Sequence, residues 1–136
     1  MVSKNFFDNH LGALIECVNF ASDEIMQIYN SDSFDQEEKS DGSPLTIADK
    51  KSNEIILNSL EKISKDISII SEETFSEDLI KSLDQTYWLV DPLDGTKEFI
   101  NKTGEFTVNI AMIDNKKVVF GIVGAPVTGK IWHGSI

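Results

Sequence analysis

The stretch Trp88-Leu89-Val90-Asp91-Pro92-Leu93-Asp94-Gly95-Thr96-Lys97-Glu98-Phe99 decides how this chain is read. Tyr87 to Val90 is a short apolar run rich in aromatic and β-branched residues, which predicts a buried strand. Asp91 stands at its end. Pro92 has no N–H to give to a ladder and a fixed φ, so pairing is expected to stop there. Asp94-Gly95 is turn chemistry, with glycine free to take a positive φ. Thr96 is placed to cap a short helix through Lys97, Glu98, Phe99 and Ile100. Strand end, sharp turn and helix start therefore meet at two carboxylates.

Upstream of this turn, Ile67-Ser68-Ile69-Ile70-Ser71 is short and β-branched, a second strand that ends in acids, Glu72-Glu73. Two neighbouring strands ending in carboxylates can bring them to one point. Earlier still, Ser43-Pro44-Leu45-Thr46-Ile47-Ala48-Asp49 opens a helix whose apolar face is Ala48, Ile55, Ile56, Ser59, Leu60 and Ile63. Thr46 and Asp49 have the spacing of a capping box, in which the acid reaches back to the cap's amide. The other reading of Asp49 is a carboxylate that faces the central turn, and the local sequence leaves both open.

The chain begins with Leu11, Leu14, Ile15, Val18, Ala21, Ile25 and Ile28 at three- and four-residue steps, one amphipathic helix from Asn5 to Tyr29. Residues 30–43 are polar and acidic, with only Phe34 to bury, and read as an acidic surface loop whose spacing matches no calcium loop. Thr74 to Gln85 is a polar connection with a helical turn around Asp78 to Leu83. Downstream, Phe106, Val108, Ile110 and Met112 alternate with Thr107, Asn109 and Ala111, a strand with one better-buried face. Asp114-Asn115-Lys116-Lys117 turns into Val118 to Val123, Pro126 stops that strand, and a last one starts at Lys130. Helix, helix, then hairpin-linked strands predict an α+β fold, two N-terminal helices packed on a mainly antiparallel sheet, as a single domain over 1–136.

Composition narrows the partners. The chain has 136 residues and a formal charge of −11, which argues against nonspecific binding to nucleic acid or to an anionic membrane. No apolar run approaches the roughly 18 residues of a membrane span, and Met1 to Lys4 leads into no signal-peptide region. The single cysteine, Cys17, falls in the first helix as an ordinary buried thiol, so a reducing, cytoplasmic setting is expected. His10 and His133 lie apart from the acids in sequence and read as surface or sheet positions.

Glu72, Asp91 and Asp94 are oxygen ligands with no Cys or His set beside them, a choice that suits a hard cation such as Mg²⁺ over zinc. Two close carboxylates push one another toward neutrality, and a metal between them removes that conflict. Such an arrangement suits attack of water on phosphorus. Gly95 and Thr96 offer main-chain N–H groups at a helix start, a seat for phosphate. The Thr96 hydroxyl can orient a water, with Asp49 the candidate base behind it. A plain strand-to-helix turn with a capping Asp or Thr is the competing reading of the same residues.

Three motifs together, Ser43-Pro44-Leu45-Thr46-Ile47-Ala48-Asp49, Ser71-Glu72-Glu73 and Trp88 to Thr96, resemble the inositol monophosphatase superfamily of metal-dependent phosphatases in order and separation. Lys97-Glu98-Phe99-Ile100 and Gly104-Glu105-Phe106-Thr107-Val108-Asn109-Ile110-Ala111 look most like its 3′(2′),5′-bisphosphate nucleotidase branch. The resemblance implies that Glu72, Asp91 and the Leu93 carbonyl bind a first Mg²⁺, with Asp91 and Asp94 on a second. It implies that Thr96 passes a proton toward Asp49, with Glu72 at the catalytic centre, while Gly95 and Thr96 amides, beside Asp94, hold the phosphate. Glu73 lies near the site without a fixed role.

The implied reaction is hydrolysis of adenosine 3′,5′-bisphosphate to AMP and phosphate, clearing a by-product of sulfate assimilation, with sensitivity to lithium. The resemblance spans the chain but only about the first half of a family member, so the C-terminal α/β domain of the family's αβαβα architecture is expected to be absent. Impaired turnover and self-association through an exposed sheet edge follow as expectations. An inositol or sugar monophosphatase is one alternative, and a non-catalytic module that binds Mg²⁺ and a phosphometabolite is another.

Overall fold

The computed structural model describes residues 4–31, 43–72, 76–77 and 85–136. Most of the acidic loop, Glu73 and the helical turn expected around Asp78 to Leu83 lie outside the described residues. Helix α1 runs Lys4–Tyr29 and buries Phe7, Leu14, Cys17, Val18, Ala21, Ile25 and Tyr29 along one stripe, close to the expected periodic face. Helix α2, Pro44–Ile63, packs beside it.

Among the described residues five strands follow: β1 Ser68–Ser71, β2 Thr86–Asp94, β3 Thr107–Asp114, β4 Lys117–Ala125 and β5 Lys130–Ser135, with the short helix α3, Thr96–Ile100, between β2 and β3. They form one sheet in the order β1-β2-β3-β4-β5. β1 and β2 are parallel and every other pair is antiparallel, so the fold is α+β with a mixed, mainly antiparallel sheet under the helix pair. The core lies between helices and sheet, where Trp88, Val90, Val108, Ile110, Met112, Phe120 and Ile122 meet Leu14, Val18, Ile25, Ile56 and Leu60. The β3–β4 turn places Asn115 and Lys116 at φ 51 and 65, the left-handed pair that a two-residue hairpin requires.

Several local expectations change. The run Tyr87 to Val90 is not buried throughout: Trp88 and Val90 face the helices, whereas Leu89 is 44% exposed on the outer face. β2 alternates because, among the described residues, helices cover one side of its sheet. Pro92 does not end the strand. Pairing continues from Asp91↔Asn109 to Asp94↔Thr107 across an irregularity in which three steps on β2 match two on β3. That is a bulge of one residue, and a proline without a donor is tolerated there.

The caps differ as well. Ser43 is the cap of α2: its Oγ accepts from the Thr46 amide at 3.1 Å and donates to Thr46 Oγ1 at 2.8 Å. Ser43 precedes Pro44 at the first helical position, where a missing N–H costs nothing. Thr46 is thereby the third helical residue and Asp49 falls in the second turn, outside any capping box. Likewise Gly95, at φ 101, caps α3, and Thr96 is its first helical residue rather than its cap.

Candidate active site

Each acid directly follows a buried residue: Glu72 comes just after β1, Asp91 stands inside β2 before Pro92, and Asp94 ends β2. β1 pairs with β2 up to Ser71↔Val90, so the next residues of this parallel pair, Glu72 and Asp91, leave the ladder side by side. Ser71 and Val90 face the helices and their successors face outward. In a regular strand Asp91 and Asp94, three apart, would point to opposite faces. The extra residue of the bulge turns Asp94 back to the side of Asp91.

The result is a cluster of like charges. The Asp91 carboxyl is pushed up from 3.8 to about 7, first by burial, then by the carboxyl of Glu72 within hydrogen-bonding range, then by the charges of Glu72 and Asp94; the Leu93 amide donates to it and pulls the other way. Every charged neighbour that moves it is itself an acid. Asp91 Oδ1 is buried and has no hydrogen-bond partner, the one such side-chain atom among the described residues. Among those residues no three His, Cys, Asp or Glu side chains close into a ready metal cluster. The donor set nonetheless fits a hard cation. A stranded carboxylate oxygen amid acids is what an oxygen-liganded ion would satisfy.

Around the acids, other groups fix positions. Asn109, opposite Asp91 on β3, donates from Nδ2 to Asp94 Oδ2 at 3.2 Å and accepts from Thr107 Oγ1 at 3.3 Å through Oδ1. Gly95 is hemmed in: a Cβ there would lie 2.9 Å from the Glu105 carbonyl oxygen and 3.1 Å from Phe106 Cα. Gly95, as the cap residue of α3, brings no side chain of its own to the helix start. Beneath it Phe99, Phe106 and Tyr29 pack ring to ring at 5.0–5.3 Å. Lys102 donates to the Tyr29 carbonyl at the end of α1 and sits 4.1 Å over the Tyr29 ring, which ties the segment after α3 to the first helix.

The predicted residues are therefore brought together unevenly. Glu72, Asp91 and Asp94 share one charged neighbourhood. Leu93 is buried within the bulge, Gly95 and exposed Thr96 follow at once, and Asp49 is half-buried on α2, which touches both β2 and α3. A cleft of about 510 Å³ on the outer face is lined by Glu72, Asp91 and Asn109 at one end and by Leu89, Ala111 and Val123 beyond; its lining does not extend to Asp49, Asp94, Gly95 or Thr96. No role follows from sequence for Asn109 or Ser71, which enter only as members of quoted motifs, or for Ser52 and Asn53. The signal for Asn109 was present, as the polar member of an alternating strand.

The profile of the inositol monophosphatase family matches residues 8–136, and the chain belongs to that family. Within it, the chain is similar to 3′(2′),5′-bisphosphate nucleotidase CysQ of Escherichia coli strain K12, 45% identical over 116 residues, covering 85% of this chain and 47% of the relative. The CysQ of Buchnera aphidicola is 41% identical over 131 residues, covering 90% and 49%. The crystal structure of CysQ from Bacteroides thetaiotaomicron, described as a bacterial member of the inositol monophosphatase family, superposes with a TM-score of 0.85 at 39% identity, over 95% of this chain and 46% of that one. The chain thus spans about half the length of the curated relatives it matches. No helix among the described residues is long and apolar enough to cross a membrane.

Proposed function

We propose that the protein works as a phosphomonoester hydrolase of the 3′(2′),5′-bisphosphate nucleotidase type, using Mg²⁺ to convert adenosine 3′,5′-bisphosphate to AMP and phosphate. The observation that carries this reading is the buried Asp91 Oδ1 without a partner, held beside two further acids. Similarity to the CysQ nucleotidases supports the substrate class.

In this reading Glu72, Asp91 and the Leu93 carbonyl would hold one Mg²⁺, and Asp91 with Asp94 a second. When bound, the metal supplies a lowered pKa for the attacking water and neutralises charge on the leaving oxygen. The chain's own groups do the rest. Gly95 and Thr96 amides at the start of α3 hold the phosphate oxygens. The Thr96 hydroxyl orients the water and passes its proton to Asp49, which the Ser43 cap leaves outside any capping box. Water oxygen bonds to phosphorus, the ester P–O bond breaks, the leaving oxygen takes a proton from solvent water to become the nucleotide's hydroxyl, and the proton held on Asp49 returns to solvent. A cytoplasmic role in clearing a by-product of sulfate assimilation and inhibition by lithium go with this reading.

Phosphate release in Mg²⁺ from adenosine 3′,5′-bisphosphate, measured beside inositol and sugar monophosphates, tests it. Preference for the bisphosphate, lost in Asp91→Asn, is expected. Faster release from inositol or sugar monophosphates replaces the reading with that alternative. Mg²⁺ and nucleotide binding without turnover identifies a binding module instead.

A further inference from the structure

The acids face outward, but the inward-facing neighbour of two of them is tied to α2. Ser71, immediately before Glu72, donates its hydroxyl to Asn53 Oδ1. Pro92, immediately after Asp91, accepts at its carbonyl from Ser52 Oγ at 2.7 Å. Ser52 and Ser71 are fully buried and Asn53 is 9% exposed. These two polar residues interrupt a helix face that otherwise buries Ala48, Ile56 and Leu60.

Apolar side chains would pack this face without the desolvation cost of buried polar groups. The two polar residues are adjacent in sequence, and each is spent on a different strand end that carries an acid. Successive strand residues face opposite sides, so a tie behind the sheet fixes the direction of the acid in front of it. We infer that Ser52 and Asn53 are positioning residues, a two-point brace that holds the ends of β1 and β2 so that Glu72 and Asp91 converge on one divalent cation. Asp49, one turn earlier on the same helix, is held in register with the acids by the same ties. The inference rests on the metal reading above.

Calorimetric titration of Mg²⁺ into the full chain tests it, with Ser52→Ala cutting one tie and Ser71→Ala the other. Each is expected to weaken Mg²⁺ binding by roughly ten- to a hundredfold, the usual effect of losing a group that orients a metal ligand. Ile56→Val, buried on the same helix face, is the packing control: it lowers the unfolding temperature and leaves Mg²⁺ affinity within about twofold of the parent. Should one tie variant fail to fold, the other still decides.

If Ser52→Ala and Ser71→Ala bind Mg²⁺ as tightly as the parent while Asp91→Asn does not bind, the brace is overturned and the metal reading stands. Equal weakening in Ile56→Val reduces the effect to general stability and also overturns it. A parent chain that binds no Mg²⁺ overturns the metal reading, and the brace with it.

Discussion

In metal-free solution at pH 8, Asp91→Asn is expected to make the protein more stable, although it removes the residue on which the proposed chemistry depends. The reason is the direction in which the folded structure moves this carboxyl, from 3.8 up to about 7. A carboxyl raised on folding keeps its proton in the native state where the unfolded chain has released it. Its contribution to stability is complete below about pH 4, declines as pH rises, and is lost above about pH 7. At pH 8 the native state must hold a charged Asp91 against burial and against Glu72 and Asp94, a cost that asparagine avoids while still accepting from the Leu93 amide.

The displacement corresponds to an upper limit of about 4 kcal/mol. Asp91 is only half-buried, and solvent screening brings the expected gain down to on the order of 1–2 kcal/mol, a rise of a few degrees in the unfolding midpoint. Urea unfolding of parent and Asp91→Asn in EDTA, from pH 5 to 8.5, reads it directly. The difference between the two grows with pH up to about 7 and then levels off. Adding Mg²⁺ reverses the order at pH 8, since a ligand that binds only the native parent stabilises the parent alone. An Asp91→Asn protein less stable than the parent at pH 8 in EDTA, or a parent indifferent to Mg²⁺, refutes the reasoning.

Other sites give further tests. Gly95→Ala combines a φ of 101 with a Cβ 2.9 Å from a backbone oxygen and is expected to cost about 2–4 kcal/mol in unfolding free energy; a loss under about 1 kcal/mol would show that the turn can move. Gly124→Ala would drive a methyl into Val18 Cγ1 in the core between α1 and β4, with an expected loss of about 1–3 kcal/mol by chemical denaturation. Burial pushes the Cys17 thiol up from 9.0 to about 11, against a smaller opposing hydrogen bond from Ser59. It is therefore expected to resist a thiol reagent at pH 8 until the protein unfolds, and its retained proton adds stability that is lost as pH rises from about 9 through 11; rapid labelling of the native protein counts against this. β5 lies at an edge of the sheet, and Trp132 on it is 55% exposed, so concentration-dependent self-association is expected, weakened by Trp132→Lys; sedimentation of the parent as a compact monomer at high concentration refutes it.

Much of the fold was open to reading because its signals are local. Helix α1 declares itself through residues that bury at the predicted steps, Leu14, Val18, Ala21 and Ile25. The hairpin at Asn115-Lys116 follows from turn chemistry. Motif spacing identified Glu72, Asp91 and Asp94 as a group, and the structure places them in one neighbourhood. The errors arose where a local rule competed with tertiary contacts. Thr46 and Asp49 have the right spacing for a capping box, yet Ser43 before Pro44 caps α2. Ser52 and Asn53 fall outside the expected apolar face of α2, because their partners, Pro92 and Ser71, are 40 and 18 residues away.

Pro92 is the most informative of these differences. Taken as a strand stop, it leaves Asp91 and Asp94 on a turn whose geometry nothing fixes. In the structure β2 continues to Asp94 with one residue out of step against β3. Without that extra residue the side chains at 91 and 94 would fall on opposite faces, one toward the helices and one toward water. A proline is well suited to the place, because the bulge asks for a residue that gives no N–H to the ladder. Its carbonyl remains available and accepts from Ser52. The same residue that breaks the pairing is thus the point at which α2 grips the strand, and the step out of register is what turns two acids three positions apart toward the same side of the sheet.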